Sequence, residues 1–380
     1  MAQARGELEA APGEAARAFA RAWVTLAGAD TRESRELRVA ADLEARRAVA
    51  RATFGRPLHT IGGEGGRVRS LCFDEGEEQV RLMVGRYEGR VQWFDLETYQ
   101  QRDEISGLGA GLRCAQRSPD ARFVAVALRE DVRLLNIDTR RSLHPYPTPS
   151  RDVIRWCAFS RDRPVFATCS ERGSVSVWGW SLADRSLVWS ATHGGKANMC
   201  LFSADGATLY AVGSQGGTRS WNARIGQPGW SVEEGREVHA CALSPDGKTL
   251  ATVGAGGTVR FWQAKSGDDR GSVGVAAKAL EAVAYSPDGK TLAAGSSQGI
   301  VYLWSLGERP SKWAWDVDTG TQGSIKCLLI SEDGRTLFVG CESGVVRIHG
   351  LWHTDWEGDA PEIPGFDADP LGAVERALNR

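Results

Sequence analysis

The chain has 380 residues, with 46 basic side chains against 48 acidic ones and a formal net charge of −2. That length exceeds what one hydrophobic core sustains, so the chain is either several domains or a repeat array. Near-neutral charge gives no general pull towards nucleic acid or an anionic membrane surface, and no apolar run reaches the roughly 18–20 residues of a membrane span.

The first residues carry Glu7 and Glu9 and lack the hydrophobic centre of a secretory signal, so a cytoplasmic protein is the expectation. From Pro12 to Ala27 the spacing predicts a helix with Phe19, Trp23 and Leu26 on one face and Gly28 just past its end. Asp30 is placed to cap a second helix, with Glu33 in capping-box position, running to about Phe54 before Gly55. Its seven arginines and four acids between Thr31 and Arg56 make a solvated, ion-paired face; Val39, Leu43, Ala50 and Phe54 would be its docking side. Residues 1–54 are therefore expected to form a separate helical segment.

A different pattern follows. Val238 to Trp262 is an apolar run, a Ser-Pro-Asp-Gly turn, a second apolar run, a glycine turn and a short strand ending in tryptophan. Three strands joined by two tight turns make an antiparallel meander. The residue opening the first turn recurs as Asp74, Ser118, Ser160, Ser203, Ser244, Ser286 and Ser331, at intervals of 41–45 residues. That is the period of a four-stranded propeller blade. The third strand of each unit ends in Phe94, Leu135, Trp178, Trp221, Trp262, Trp304 or His349, a large side chain suited to packing between blades.

With these turns the chain resembles the WD-repeat (WD40) propellers, in the Ser-Pro-Asp-Gly-Lys-Thr-Leu style of many bacterial members. The resemblance covers about Gly55 to Trp352 and implies an all-β, seven-bladed ring over 55–352. Arg56 to Ile61 reads as the outer strand of the last blade, closing the ring without a free edge. Two departures stand out. The family's Gly-His dipeptide is missing, and Glu88, Arg172, Gly256, Gln298 or Ser343 stands where its second-turn aspartate belongs. The family's His-Ser-Asp-Trp hydrogen-bond network is therefore expected to be absent, leaving apolar packing to hold the blades. Trp189, Trp230, Trp313 and Trp315 fall on outermost strands, as covers for their own blades or as contact points. Residues 353–380 form an acidic tail, extended until Asp369-Pro370 opens a short helix bearing Leu371, Val374 and Leu378.

No catalytic or cofactor set emerges. Gly247-Lys248-Thr249 and Gly289-Lys290-Thr291 imitate the end of a phosphate loop but lie in hairpin turns. Gly295 to Gly299 spells a nucleophile elbow between two strands, where a strand and a helix are required. Gly107 to Gly111 lacks dinucleotide spacing. The histidines at 59, 144, 193, 239, 349 and 353 show no metal-ligand spacing. The eight cysteines contain no Cys-x-x-Cys pair; Cys157, Cys200 and Cys241 share one repeat register, with Cys114 and Cys327 one place earlier, and read as small buried hydrophobes. No metal, no cofactor and no enzymatic activity are expected; a propeller hydrolase or lyase is the least favoured alternative.

One repeat position differs from blade to blade. Five residues before each turn opener stand Arg69, Arg113, Arg155, Asn198, His239, Glu281 and Lys326, each preceded by an apolar residue. The family resemblance puts this end of the innermost strand on the narrower, top face, where many partners bind. Ring closure then makes Lys326, Arg69, Arg113 and Arg155 one cationic arc opposite His239 and Glu281. Trp156 would add an aromatic wall, Arg86, Arg129 and Arg172 would reinforce the charge, and Glu88, Glu130 and Glu171 would oppose it. An acidic peptide or loop of another protein suits such an arc. The function expected is an interaction scaffold, or alternatively a sensor subunit of a bacterial signalling or defence assembly, without nucleic-acid or membrane binding.

Overall fold

Short apolar runs punctuated by Gly, Pro, Ser and Asp turns fold into seven four-stranded antiparallel sheets. The structure is a computed structural model. It describes residues 57–351, apart from 63–65, 76–78, 143–144, 148–151, 181–185, 216, 276, 307–316 and 319–322, together with helical positions 16–18, 20–22, 24 and 41. One compact unit spans His59–Ile348; the other combines Met1–Leu58 with His349–Arg380. Among the described helical residues Ala16, Ala20 and Ala41 are buried. Phe19, Trp23 and Leu26, the docking side of the second helix and the acidic tail lie outside the described residues.

In six of the sheets, each taken as one blade, the strands follow chain order from an innermost one, and in the seventh the first three do. The seven innermost strands are Val68–Glu75, Cys114–Arg117, Ile154–Phe159, Ala197–Phe202, Val238–Leu243, Leu280–Tyr285 and Ile325–Ile330. Each packs beside the next, and the seventh packs beside the first. His59–Ile61 completes the seventh blade by pairing antiparallel with the strand after it in space, His59 opposite Ile348 and Ile61 opposite Val346. The ring is closed by a strand from before the first blade, as the sequence implies.

The large residue ending each third strand is buried, and in the first six blades it packs against the preceding blade. Trp178 lies with Phe123 and Tyr146 of the second blade, Trp221 with Val175 and Val177 of the third, and Phe94 with Phe338 and Val346 of the seventh. Burying such a side chain contributes on the order of 1.5–3 kcal/mol. Outer-strand tryptophans work in the opposite direction. Trp189 Nε1 donates to Ala223 O of the fourth blade at 2.9 Å, and Trp230 Nε1 to Ala264 O of the fifth at 2.9 Å. Each indole seals its neighbour. Trp313 and Trp315 lie outside the described residues.

Polar links add to this packing, which corrects the expectation of purely apolar blades. In five blades the turn-opening serine (118, 203, 244, 286 and 331) donates to the aspartate two residues on at 2.5–2.6 Å. The same hydroxyl accepts the amide five residues on at 2.8–2.9 Å. This contact with Ser203 and Ser244 holds the Asp205 and Asp246 carboxyls below the usual range. Within the fifth blade, Trp262 Nε1 donates to Thr252 Oγ1 at 3.0 Å. Thr252 and Thr218 donate in turn to the two oxygens of Glu234, at 3.0 and 2.5 Å. A glutamate thus does the linking expected of the family's histidine. In the first blade Asp74 replaces the serine and meets Arg117 of the second blade at 2.5 Å, both side chains nearly buried. Burial pushes the Asp74 carboxyl up, and Arg117 opposes that.

Two sets of outcomes follow from this packing. At Gly226 and Gly267 (φ +70° and +78°) a Cβ would fall 2.7 and 2.6 Å from the indoles of Trp189 and Trp230. Alanine at either should cost about 2–3 kcal/mol in urea unfolding. Gly247→Ala, at φ +70° with nothing within 4 Å, should cost only about 1 kcal/mol. His193 is fully buried; burial, then Arg219, brings its imidazole from 6.5 to about 4. Above pH 6.5 neither folded nor unfolded chain protonates it, whereas between 6.5 and about 4 only the unfolded chain does. Stability should therefore fall by about 3 kcal/mol as pH falls through that window. His193→Gln should flatten this component in denaturant titrations at stepped pH.

Candidate functional site

The seven residues at the starts of the innermost strands owe their direction to a backbone irregularity repeated round the ring. Val68 pairs with Arg86 and Ser70 with Gly85, leaving Arg69 as the extra residue of a β-bulge. The same slip occurs at Arg155, Asn198, His239, Glu281 and Lys326. In the second blade the Arg113 amide donates to Ala127 O at 2.9 Å, and Ala127 is also the partner of Cys114. A bulge releases one residue from the ladder and re-aims its side chain. Here all seven are re-aimed to one place: they line the axial channel, a cavity of about 500 Å³, and Trp156 lines it with them. Leu71, Met199, Ala240, Val283 and Leu328 add an apolar part to the same lining, and Glu75 and Arg161 also belong to it.

The charges are arranged less simply than an open arc. Lys326 Nζ lies 3.3 Å from Glu281 and 3.7 Å from Glu342. Arg69 lies 3.5 Å from Glu342, and Arg155 lies 3.7 Å from Glu171. His239 Nδ1 is 3.1 Å from Leu280 O and 3.4 Å from Glu281. The Asn198 amide donates to Glu237 Oε1 at 3.0 Å and to Val238 O at 2.8 Å. Burial tends to raise the Glu237 carboxyl, but Asn198 and Lys196 outweigh it and hold the group below its ordinary value. The anticipated opposition of Glu171 is present for Arg155.

Arg86 adds no exposed charge to this face. It is buried, contacts Gln92, and donates to Gly66 O at 2.8 Å and Gly344 O at 2.7 Å, stapling the first blade to the seventh. Arg129 and Arg172 are exposed at their turns.

Three participants, Arg67, Tyr87 and Glu342, escape the reading by ring position. Tyr87 gathers the guanidinium groups of Arg67, Arg69 and Arg113 at 5.6, 5.3 and 5.7 Å from its ring centroid. Glu342 is the acid shared by Arg67, Arg69 and Lys326. Tyr87, Glu171 and Glu342 all occupy the first position beyond the second strand of their blades, so aligning the repeats at that position reveals them.

Comparison with known proteins agrees with this architecture. The model of the WD domain, G-beta repeat family matches residues 140–179, 229–263, 276–305 and 316–349. Apoptotic protease-activating factor 1 of Homo sapiens is 29% identical over 155 residues, covering 39% of this chain and 12% of that protein. The Rattus norvegicus protein of the same name is 27% identical over 158 residues, with the same two coverages. The match thus spans about an eighth of the length of these relatives. With four stretches that match this family's repeat and seven closed blades, the chain is a seven-bladed β-propeller carrying WD40 repeats.

Proposed function

We propose that this propeller is a non-enzymatic interaction platform that binds an acidic segment of another protein at the cationic side of its channel mouth. The observation carrying this reading is the convergence of seven bulged residues on one channel, with Lys326, Arg69, Arg113 and Arg155 on consecutive blades. Charged groups at such a mouth steer and select an oppositely charged partner. WD40 propellers generally bind other proteins, which favours a protein partner. All eight cysteines are free, which fits a reducing, cytoplasmic setting.

A second reading makes the ring the sensing or regulatory part of a bacterial signalling or defence assembly. Its support is the likeness to a protein named as a protease-activating factor, limited to 12% of that protein's length. In that case the activity resides in a partner chain.

Reversing Arg69, Arg113 and Arg155 to Glu together should abolish co-purification of the native partner from source cells. The thermal midpoint of the variant should stay within about 4 °C of the parent, the shift expected from roughly 1 kcal/mol or less. Undiminished recovery of the same partner by the folded variant would refute the mouth as the binding site.

A further inference from the structure

We infer that the anion seat is the corner between the first and second blades, where Arg69 and Arg113 flank the ring of Tyr87, and that Glu342 is its built-in competitor. This rests on the reading of the mouth as a site for acidic partners. It narrows that site from four cations to two.

The rest of the ring is already occupied. Lys326 is shared between Glu281 and Glu342, Arg155 faces Glu171, and Asn198 spends its amide on Glu237 and Val238. At the corner the balance differs. Three guanidinium groups surround one aromatic ring at 5.3–5.7 Å. Glu342 is the one carboxylate that reaches any of them among the described residues, 3.5 Å from Arg69 and 4.0 Å from Arg67, and Lys326 claims it too. Arg113 has no carboxylate in ion-pair range among the described residues, and the Nε atoms of both Arg69 and Arg113 are buried without a hydrogen-bond partner. Burial foremost, with repulsion from Arg113 and Arg67, depresses the Arg69 guanidinium pKa, and Glu342 only partly restores it.

Half-buried cations that outnumber their counter-charges are costly, and an oxyanion would supply the charge that is short here. A carboxylate has two acceptor oxygens, enough to receive one N–H from each guanidinium in charge-assisted hydrogen bonds. Tyr87 holds both cations against its face and limits their rearrangement. The occupant is the side-chain carboxylate of an Asp or Glu on an extended partner segment. Its entry draws Arg69 away from Glu342, so Glu342 sets a threshold that a weakly acidic segment does not pass.

The test uses the full chain and two fluorescein-labelled peptides, hexaglutamate and hexaglutamine, followed by anisotropy at low salt. Hexaglutamate should bind and hexaglutamine should not. Arg113→Gln and Arg69→Gln should each weaken binding roughly tenfold or more, the loss of one charge-assisted contact. Arg155→Gln should weaken it several-fold less. Glu342→Gln should tighten it about three- to tenfold, a gain that no misfolded variant would produce. If Arg155→Gln costs as much as Arg113→Gln, and Glu342→Gln brings no gain, the corner is overturned while the broader arc stands. If hexaglutamate binds no better than hexaglutamine, both readings fall.

Discussion

Three residues govern the rest of this molecule. His59, Thr60 and Ile61 pair with Ile348, Arg347 and Val346, and through that ladder the seventh blade becomes the neighbour of the first. An open sheet edge would otherwise remain. The mouth depends on the same closure. Arg69 and Glu342 meet across 273 positions of sequence, and Arg86 reaches Gly344 across 258. Without the closing strand neither contact has a reason to persist, and the cations of the first blade would lose their acid.

Within the ring the blades are related by reciprocal packing. In the first six blades the third-strand residue is buried against the blade before it, while Trp189 and Trp230 reach to the blade after. The interfaces between the third and fourth and between the fourth and fifth blades are thereby fixed from both sides, and the bulges at the innermost strands point seven side chains at one axis without disturbing the scaffold. The residues that build the blades and those that line the channel are different. The Ser-Asp turns, glycines and tryptophans repeat because each blade needs them. The bulged position varies because the backbone there has already left the ladder, so no ladder geometry restricts its side chain.

Much of this was legible in the sequence, for definite reasons. Seven turn openers at near-constant spacing fix the number of blades, and the unmatched Arg56 to Ile61 strand fixes how the ring closes. The register of the ring residues was also readable, since each follows an apolar residue at the same distance from its turn. What escaped were contacts between units far apart in the chain. Glu342 looks like an ordinary turn residue until closure sets it beside Arg69. Arg86 looks like a surface cation until Gly66 and Gly344 supply it with carbonyls in the interior. Glu234 substitutes for a histidine in a hydrogen-bond network that a search for the usual residue types passes over. The bulge itself has no sequence signature, because any side chain that tolerates the mouth can occupy it.

Closure also has a consequence in time. The partners of His59–Ile61 lie 289, 287 and 285 positions downstream, from His59↔Ile348, Thr60↔Arg347 and Ile61↔Val346. During synthesis the first six blades emerge and can form their local meanders while this short strand waits unpaired, since contacts of high sequence separation form late and slowly. The charged mouth is consequently among the last features to exist. A chain cut short anywhere before Val346 would present folded blades and an open seam, with Arg69 and Arg113 in place and no ring to hold them together.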